Sequence, residues 1–244
     1  MRQAVVGGSL ALMIIGAWLA LHIYSVFFFQ LSRSSWAIAP FLIALLCWLN
    51  VGLFIIAHDA MHGSLFPSIP RGNVTFGRVA LALYAGFRFD RLKTAHMAHH
   101  RLPGTADDPD FDVANPARFW RWYGAFIQRY FGLEEFLILC GPVAIYLGIG
   151  VRITNLLLFW ALPAILSSLQ LFYFGTYRPH RHGDLPFADA HNARTSEFGW
   201  LPSLITCFHF GYHHEHHLKP AVPWWRLPAE RAARRTARSD RPRG

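Results

Sequence analysis

Long apolar runs separated by short polar segments make up much of the chain. A helix needs about 20 mostly apolar residues to cross a lipid bilayer. Four runs come close to that length or exceed it, and they cover residues 7–31, 36–57, 133–151 and 155–177. The pattern therefore predicts an all-α integral membrane bundle with four transmembrane helices.

Two further apolar stretches are too short to cross a bilayer. Residues 74–89 contain Arg78 and Arg88, and residues 198–212 contain Pro202 near their start. We expect both stretches to form short helices that lie at the membrane surface or dip partly into it.

The end of the chain differs in composition from the rest, because residues 229–244 are rich in arginine and poor in large apolar residues. Such a segment buries too little apolar surface to fold alone. We therefore expect a single membrane-embedded domain over residues 1–228, followed by a basic, disordered tail over residues 229–244.

The composition agrees with a membrane protein. Hydrophobic residues make up 53% of the 244 residues and charged residues 15%, whereas soluble domains carry about 25% charged residues. The net charge of +9 arises from basic residues that flank the apolar runs. Anionic lipid head groups attract such segments, so the charge favours the lipid bilayer as partner and does not call for nucleic acid.

The basic residues also predict the orientation in the membrane. With four spans, both termini lie on one side, and the opposite side carries two short loops that contain Arg33 and Arg152. The other 21 of the 23 Lys and Arg residues then lie on the side of the termini. Because cytoplasmic loops are enriched in Lys and Arg, that side is predicted to be the cytoplasm, across the inner membrane.

The chain contains 14 histidines, and His22 is the one that lies within a predicted span. Most of the others fall into three short boxes. In the first, His58 and His62 are four residues apart, which places both imidazoles on one face of a helix. The second and third boxes share the spacing H-x-x-H-H, and a further histidine follows the last span. The three boxes and that histidine comprise His58, His62, His96, His99, His100, His180, His213, His216 and His217.

Nine histidines at one membrane face are too many for one metal ion and suit two ions with four or five ligands each. Imidazole binds zinc, copper, iron and nickel, so the ligand type leaves the metal open. His209 is either a tenth ligand or a hydrogen-bonded neighbour, while His182 and His191 are expected near the site or at the surface. The sequence thus predicts a cytoplasmic, histidine-rich di-metal site.

Three aspartates lie close to the boxes, namely Asp59 inside the first and Asp107 and Asp108 after the second. A metal-bound imidazole usually donates its other N–H group to a carboxylate or carbonyl. We expect these aspartates to serve the catalytic site in this way, and for Asp107 and Asp108 an exposed acidic turn is the alternative. Glu215, inside the third box, has the same two interpretations.

Non-enzymatic alternatives fit the histidine positions less well. A membrane zinc or copper transporter needs ligands along its pore, near the middle of the bilayer. A b-type haem protein needs histidines that face each other inside the spans. Nearly all histidines here lie beyond the ends of the predicted spans, which favours a catalytic metal site at the membrane surface.

Three histidine boxes on four predicted spans resemble the membrane fatty-acid desaturase and hydroxylase superfamily, and the local sequence is most similar to bacterial β-carotene ketolases. The similarity extends over about residues 50–228. One difference is Met97, which stands at a position between ligands. The resemblance is carried by FIIAHDAMHGSLFPS (54–68), LYAGFRFDRLKTAHMAHHRLPGTADDPDF (83–111), FYFGTYRPHRHGDLPFADAHNARTSEF (172–198) and LITCFHFGYHHEHHLKPAVPWWRLP (204–228).

The resemblance implies two non-haem iron ions, O₂ as co-substrate and an external electron donor such as ferredoxin or a similar reductase. It also implies that β-carotene is converted to echinenone and canthaxanthin, through two hydroxylations at C4 of the β-ionone ring followed by loss of water. A carotenoid 3-hydroxylase and a fatty-acid desaturase share the same boxes, and box spacing alone does not separate these activities.

Overall fold

The computed structural model describes residues 2–183 and 185–239, and all regular elements in these ranges are helical. The all-α class predicted from the apolar pattern is therefore confirmed. The helices in chain order are α1 (Arg2–Ile23), α2 (Ala39–His62), α3 (Pro70–Ala85), α4 (Phe89–Arg101), α5 (Phe119–Tyr130), α6 (Leu133–Gly148), α7 (Ile153–His180), α8 (Trp200–Cys207), α9 (His213–Leu218) and α10 (Leu227–Ser239).

Helix α2 lies at the centre of the bundle and packs against α1, α3 and α7. Pro40 stands in its first turn, where the missing N–H group is not needed. Gly63 ends the helix with φ of 73°, a left-handed conformation that glycine adopts without strain. The indole of Trp18 on α1 donates a buried 2.7 Å hydrogen bond to the Asn50 side chain on α2, which joins the two helices inside the apolar core.

Three helical segments are long and apolar enough to cross a membrane, and they cover Arg2–Phe28, Ser35–His62 and Ile153–His180. They contain most of the predicted spans 7–31, 36–57 and 155–177. The chain is thus a helical membrane protein.

The predicted third span, residues 133–151, differs from the structure. Helix α6 has 16 residues, so it is about 24 Å long, whereas the hydrocarbon core is about 30 Å thick. It meets α5 at an angle of 75°. The two helices are long and apolar enough to cross a membrane only when they are taken together, as one bent span. Phe136, Leu137 and Ile145 on α6 are more than half exposed, which suits contact with lipid.

Two short turns of π-helix interrupt α7, at Leu157–Ala161 and Tyr173–Tyr177. Such turns insert an extra residue and are frequent at functional sites. The second one ends three residues before His180. The expected short helices are also present, since residues 74–89 contribute to α3 and residues 198–212 contain α8.

The basic tail departs from the expectation of disorder over its described part. Residues 229–239 belong to α10, and residues 240–244 lie outside the described residues. Arg231 is 8% exposed and lies 2.5 Å from Glu197 and 3.4 Å from Glu215. Two arginines of this helix, Arg231 and Arg235, pair with acidic residues elsewhere in the chain.

Candidate metal centre

Four helices bring the histidine boxes together. The last turns of α2 carry His58 and His62, α4 carries the second box, α7 ends at His180, and α9 carries the third box. The structure places all nine predicted ligands in two groups of imidazoles, whose ligand atoms lie within 4.8 Å of one another inside each group. The five-histidine cluster contains His58, His62, His96, His100 and His216, and the four-histidine cluster contains His99, His180, His213 and His217.

In the five-histidine cluster, side chains distant in sequence meet through their Nε2 atoms. These atoms are 2.8 Å apart between His62 and His96, 3.1 Å between His58 and His216, and 2.9 Å between His100 and His216. Two residues four apart on α2 and two four apart on α4 thus converge with one residue of α9. The structure groups His58 with His62, as their spacing predicts. In the second box, the spacing of three predicts that His96 and His99 share a helix face, but the structure groups His96 with His100 and places His99 in the other cluster.

In the four-histidine cluster, the Nε2 atoms are 3.2 Å apart between His99 and His217, 2.9 Å between His180 and His213, and 3.0 Å between His213 and His217. The imidazole of His217 also stacks on that of His100, with ring centroids 4.2 Å apart. The two clusters are therefore direct neighbours, and each H-x-x-H-H box contributes ligands to both.

Burial keeps most of these imidazoles neutral. It lowers the pKa of His96, His213, His216 and His217 well below the usual value, and the charges of neighbouring histidines lower it further. Metal ions bind the neutral imidazole. Burial therefore keeps these histidines in the form that can bind a metal ion. His99 differs, because burial lowers its pKa but the hydrogen bond with Asp108 and the charges of Asp110 and Asp108 outweigh this effect and raise it.

Several ligands are oriented through their second nitrogen. The Nδ1 atom of His99 lies 2.9 Å from a carboxylate oxygen of Asp108, and that of His180 lies 2.8 Å from the carbonyl oxygen of Asn192. Donation from Nδ1 leaves the lone pair of Nε2 directed into the cluster. The contact from His58 Nδ1 to Asp59 is longer, at 3.4 Å.

The three predicted aspartates have different surroundings. Asp108 is buried and accepts from the imidazole of His99 and from the backbone N–H groups of Gly104 and Asp110. Asp59 is buried and accepts from the backbone N–H group of Trp224 at 3.0 Å. Asp107 is exposed, and no contact with a histidine is recorded for it among the described residues.

Asp110 is a residue that the sequence argument did not single out, although it belongs to the same acidic run. Its carboxylate lies 3.9 Å from the Nδ1 atom of His99 and accepts a short hydrogen bond from the phenol of Tyr130. Burial raises the pKa of this carboxyl group. The other missed contacts come from loop residues, such as Asn192, whose spacing carries no ligand signal.

The remaining histidines lie outside the two clusters as far as the chain is described. His209 contacts the rings of Trp200, Tyr212 and Trp224, which excludes a tenth ligand in this geometry. His182 approaches the carbonyl oxygen of Gly104 at 3.2 Å. His191 and His214 both bond to the carboxylate of Asp189, and His22 stacks on Trp18 within α1.

Glu215, inside the third box, points away from the clusters to a polar network. Its carboxylate accepts from the hydroxyl of Thr195 at 2.6 Å and from Arg231 on α10 at 3.4 Å. Glu215 is buried, and the network fixes α9 from the side opposite to the ligands.

An apolar cavity adjoins both clusters. The space inside it that is open to a water-sized sphere is about 100 Å³. Its mostly apolar lining suits the apolar part of a ligand. Its wall includes His58, His96, His99 and His213 of the clusters and the apolar side chains of Phe54, Phe87, Leu92, Phe126, Leu171, Phe172 and Phe210.

The donor set fits a pair of iron ions. Each cluster offers only imidazole nitrogens, which iron accepts as ligands. All nine donors are held at neighbouring positions by four helices, and the imidazoles whose pKa values burial lowers are neutral. The chain is therefore a helical membrane protein of the class that holds a histidine-rich metal centre beside an apolar cavity.

Comparison with known proteins identifies the family. A family model described as "Fatty acid desaturase" matches residues 34–146 and 133–242. The "Beta-carotene ketolase" of Paracoccus sp. strain N81106 is 54% identical over 227 residues, which are 92% of this chain and 91% of the relative. That of Paracoccus sp. strain PC1 is 49% identical over 236 residues, which are 94% and 93% of the two chains.

A more distant relative is the "Zeaxanthin 4-ketolase" of Chlamydomonas reinhardtii, which is 36% identical over 250 residues, or 97% of this chain and 55% of the relative. The residues matched by the family model include all nine clustered histidines. The chain belongs to the fatty acid desaturase family and, within it, to the β-carotene ketolases.

Proposed function

We propose that the chain is a di-iron, O₂-dependent oxygenase of the membrane that converts β-carotene to echinenone and canthaxanthin. The observation that carries the proposal is the apolar cavity that reaches both histidine clusters. Identity of 49–54% to two bacterial proteins named β-carotene ketolase supports the choice of substrate. The nine clustered histidines are the proposed ligands of the two iron ions, whose bound pair supplies the reductive activation of O₂.

The reaction balances as two rounds of oxygen insertion at C4. In each round the ring carbon gains one oxygen atom of O₂, and the other atom leaves as water with two electrons from an external donor and two protons. The first round gives the 4-alcohol and the second a geminal diol. The diol loses water and becomes the ketone, so each ring consumes two O₂ molecules and four electrons.

Side chains of the cavity wall and of the metal centre perform three tasks in this proposal. Phe87, Phe126 and Phe172 hold the hydrocarbon ring by apolar contact and exclude water from the reacting carbon. Asp108 holds the proton on the Nδ1 atom of His99, which fixes the orientation of that ligand. We assign the same supporting role to Asp59 beside His58, and none to the exposed Asp107.

For the membrane arrangement we propose four spans, with the α5–α6 pair as the bent third span. Both termini and the metal centre then lie on the cytoplasmic side of the inner membrane, where the basic residues are concentrated. Electrons would arrive from a soluble donor such as ferredoxin with its reductase, which can reach a centre on that side.

Expression in a bacterium that makes β-carotene tests the proposal. We expect a shift of the pigments to 4-ketocarotenoids in cells with the wild-type chain and unchanged β-carotene in cells with His99→Ala. A 3-hydroxylated product would indicate a carotenoid 3-hydroxylase instead. Unchanged pigment together with desaturated lipids would indicate a fatty-acid desaturase, and either result would overturn the proposal.

A further inference from the structure

Asp110 and Tyr130 form a polar pair in the wall of the otherwise mostly apolar cavity. Asp110 comes from the turn after α4, and Tyr130 is the last residue of α5. The phenol of Tyr130 donates its hydrogen bond to the Oδ1 atom of Asp110. The two residues therefore act as one unit, and we name this unit the polar corner.

The polar corner retains an unused acceptor. The Oδ2 atom of Asp110 lies 3.9 Å from the Nδ1 atom of His99, which is too long for a hydrogen bond. That Nδ1 atom is already bonded to Asp108 at 2.9 Å. Among the described residues, no donor within hydrogen-bond distance of Oδ2 is recorded.

Two hydroxyl groups of the cavity wall already have partners. The hydroxyl of Ser168 donates to the carbonyl oxygen of Ile165 at 2.8 Å and contacts the phenol of Tyr123 at 2.6 Å. The phenol of Tyr84 accepts from the hydroxyl of Ser167. The carboxyl group of Asp110 is 14% exposed, and it lines the cavity. It can therefore receive a hydrogen bond from a bound molecule.

A carboxylate in an apolar pocket costs free energy unless it is hydrogen-bonded. β-Carotene is a hydrocarbon and has no hydrogen to donate, so the corner serves no purpose in binding that molecule. A ring that carries a hydroxyl group can donate to the Oδ2 atom of Asp110. The acceptor lies beside His99, which is a proposed metal ligand and also lines the cavity.

We propose that the polar corner, Asp110 with Tyr130, binds a hydroxyl group on the substrate ring. The inference rests on the proposed function and adds a specificity determinant to it. The hydroxyl has two sources: the 4-alcohol formed by the first oxygen insertion, and a 3-hydroxyl on a ring that was hydroxylated earlier, as in zeaxanthin. If the 4-alcohol is the ligand, the polar corner retains the intermediate until the second oxygen insertion. If the 3-hydroxyl is the ligand, the polar corner favours 3-hydroxylated carotenoids as substrates.

The variant Tyr130→Phe tests the inference, because it removes only the hydroxyl that positions Asp110. In one arm the purified enzyme receives β-carotene, and the ratio of released 4-hydroxy to 4-keto product is measured. In the other arm the rate with zeaxanthin is divided by the rate with β-carotene. Loss of a hydrogen bond that leaves a buried polar group without a partner costs about 1–3 kcal/mol, so we expect at least one ratio to change about fivefold or more.

Tyr123→Phe is the matched control. Tyr123 lies two turns earlier on α5, and its hydroxyl contacts Ser168 rather than a carboxylate. Both ratios should stay unchanged in this variant. Asp110→Asn is the second test variant, and it should change the same ratio as Tyr130→Phe because an amide replaces the carboxyl acceptor.

Each readout is a ratio within one variant, so a lower yield of folded protein does not alter it. A rise of the 4-hydroxy product alone identifies the intermediate as the ligand, and a lower relative rate with zeaxanthin identifies the 3-hydroxylated ring. If both ratios equal those of the wild type in both test variants, the inference is wrong. Failure of the proposed function itself is separate, since the wild type would then form no ketone.

Discussion

The Nδ1 atom of His99 and the carboxylate of Asp108 are 2.9 Å apart, and both side chains are almost fully buried. The same carboxylate accepts from two backbone N–H groups, those of Gly104 and Asp110. Asp108 thus closes the turn after α4 and orients a ligand of the four-histidine cluster at the same time. The relationship links the local fold to the metal centre.

Replacement of Asp108 by Asn should weaken metal binding without removal of a ligand. The amide can accept from the imidazole but carries no charge, and loss of such a partner typically costs about 10–100-fold in metal affinity. Titration of the iron-loaded protein with a chelator measures this effect. Asp107→Asn is the control, because Asp107 is exposed. Equal chelator resistance of Asp108→Asn and the wild type would contradict the assigned role.

Gly175→Ala should destabilise the protein near the cavity. A Cβ atom at Gly175 would lie 2.7 Å from a ring carbon of Phe210, whose ring packs against His58 and His213. Overpacking of this kind costs roughly 1–3 kcal/mol. Gly16→Ala on α1 has open space around the added methyl group and should be neutral or stabilising. Thermal unfolding in detergent compares the two variants, and equal midpoints would contradict the close packing.

The contact of α10 with the third box predicts a difference between two arginines. Arg231→Ala leaves the buried Glu215 without its cation, and the loss of one partner of a buried pair costs up to roughly 3–5 kcal/mol. Arg235 pairs with Glu197 at the surface, so Arg235→Ala should cost less than about 1 kcal/mol. Denaturant unfolding measures both. Equal and small losses of unfolding free energy in the two variants would mean that α10 does not stabilise the domain.

Acid should destabilise the metal-free protein. Burial lowers the pKa of His96, His213, His216 and His217 in the folded state. Below pH 6.5 the unfolded chain therefore binds protons that the folded chain does not, and each residue costs on the order of 1 kcal/mol per pH unit. His99 acts in the opposite direction, because its folded pKa is raised. Unfolding midpoints should fall from pH 7.5 to 5.5, and constant midpoints would disprove the neutral clusters.

Much of the metal centre could be predicted from the sequence because helix geometry alone relates residues three and four positions apart. The spacing of four places His58 and His62 on one helix face, and both lie in one cluster. The pairing inside the second box differs from the prediction, since His96 lies with His100 rather than with His99. The division into two clusters could not be predicted, since it depends on how α2, α4 and α9 cross. The exclusion of His209 from the clusters depends on the same tertiary geometry, whereas the position of His214 between ligand candidates already indicates that it faces away.

The supporting residues were harder to predict. Asp107, Asp108 and Asp110 lie within four positions of one another, and the turn decides which carboxylate meets His99. The 75° bend between α5 and α6 could not be predicted, because hydropathy carries no information about the angle between helices. In the tail, Arg231 and Arg235 are four residues apart, a spacing that is compatible with a helix. The arginine-rich composition nevertheless led to the prediction of disorder.

Iron content per chain is the most direct test of the central claim that nine histidines hold two metal ions. Elemental analysis of the purified, iron-loaded wild type should give two iron ions per chain. The same analysis of His213→Ala should give about one, because the four-histidine cluster loses a ligand, while His214→Ala should keep two. One iron ion or none in the wild type, or equal losses in both variants, would contradict the account.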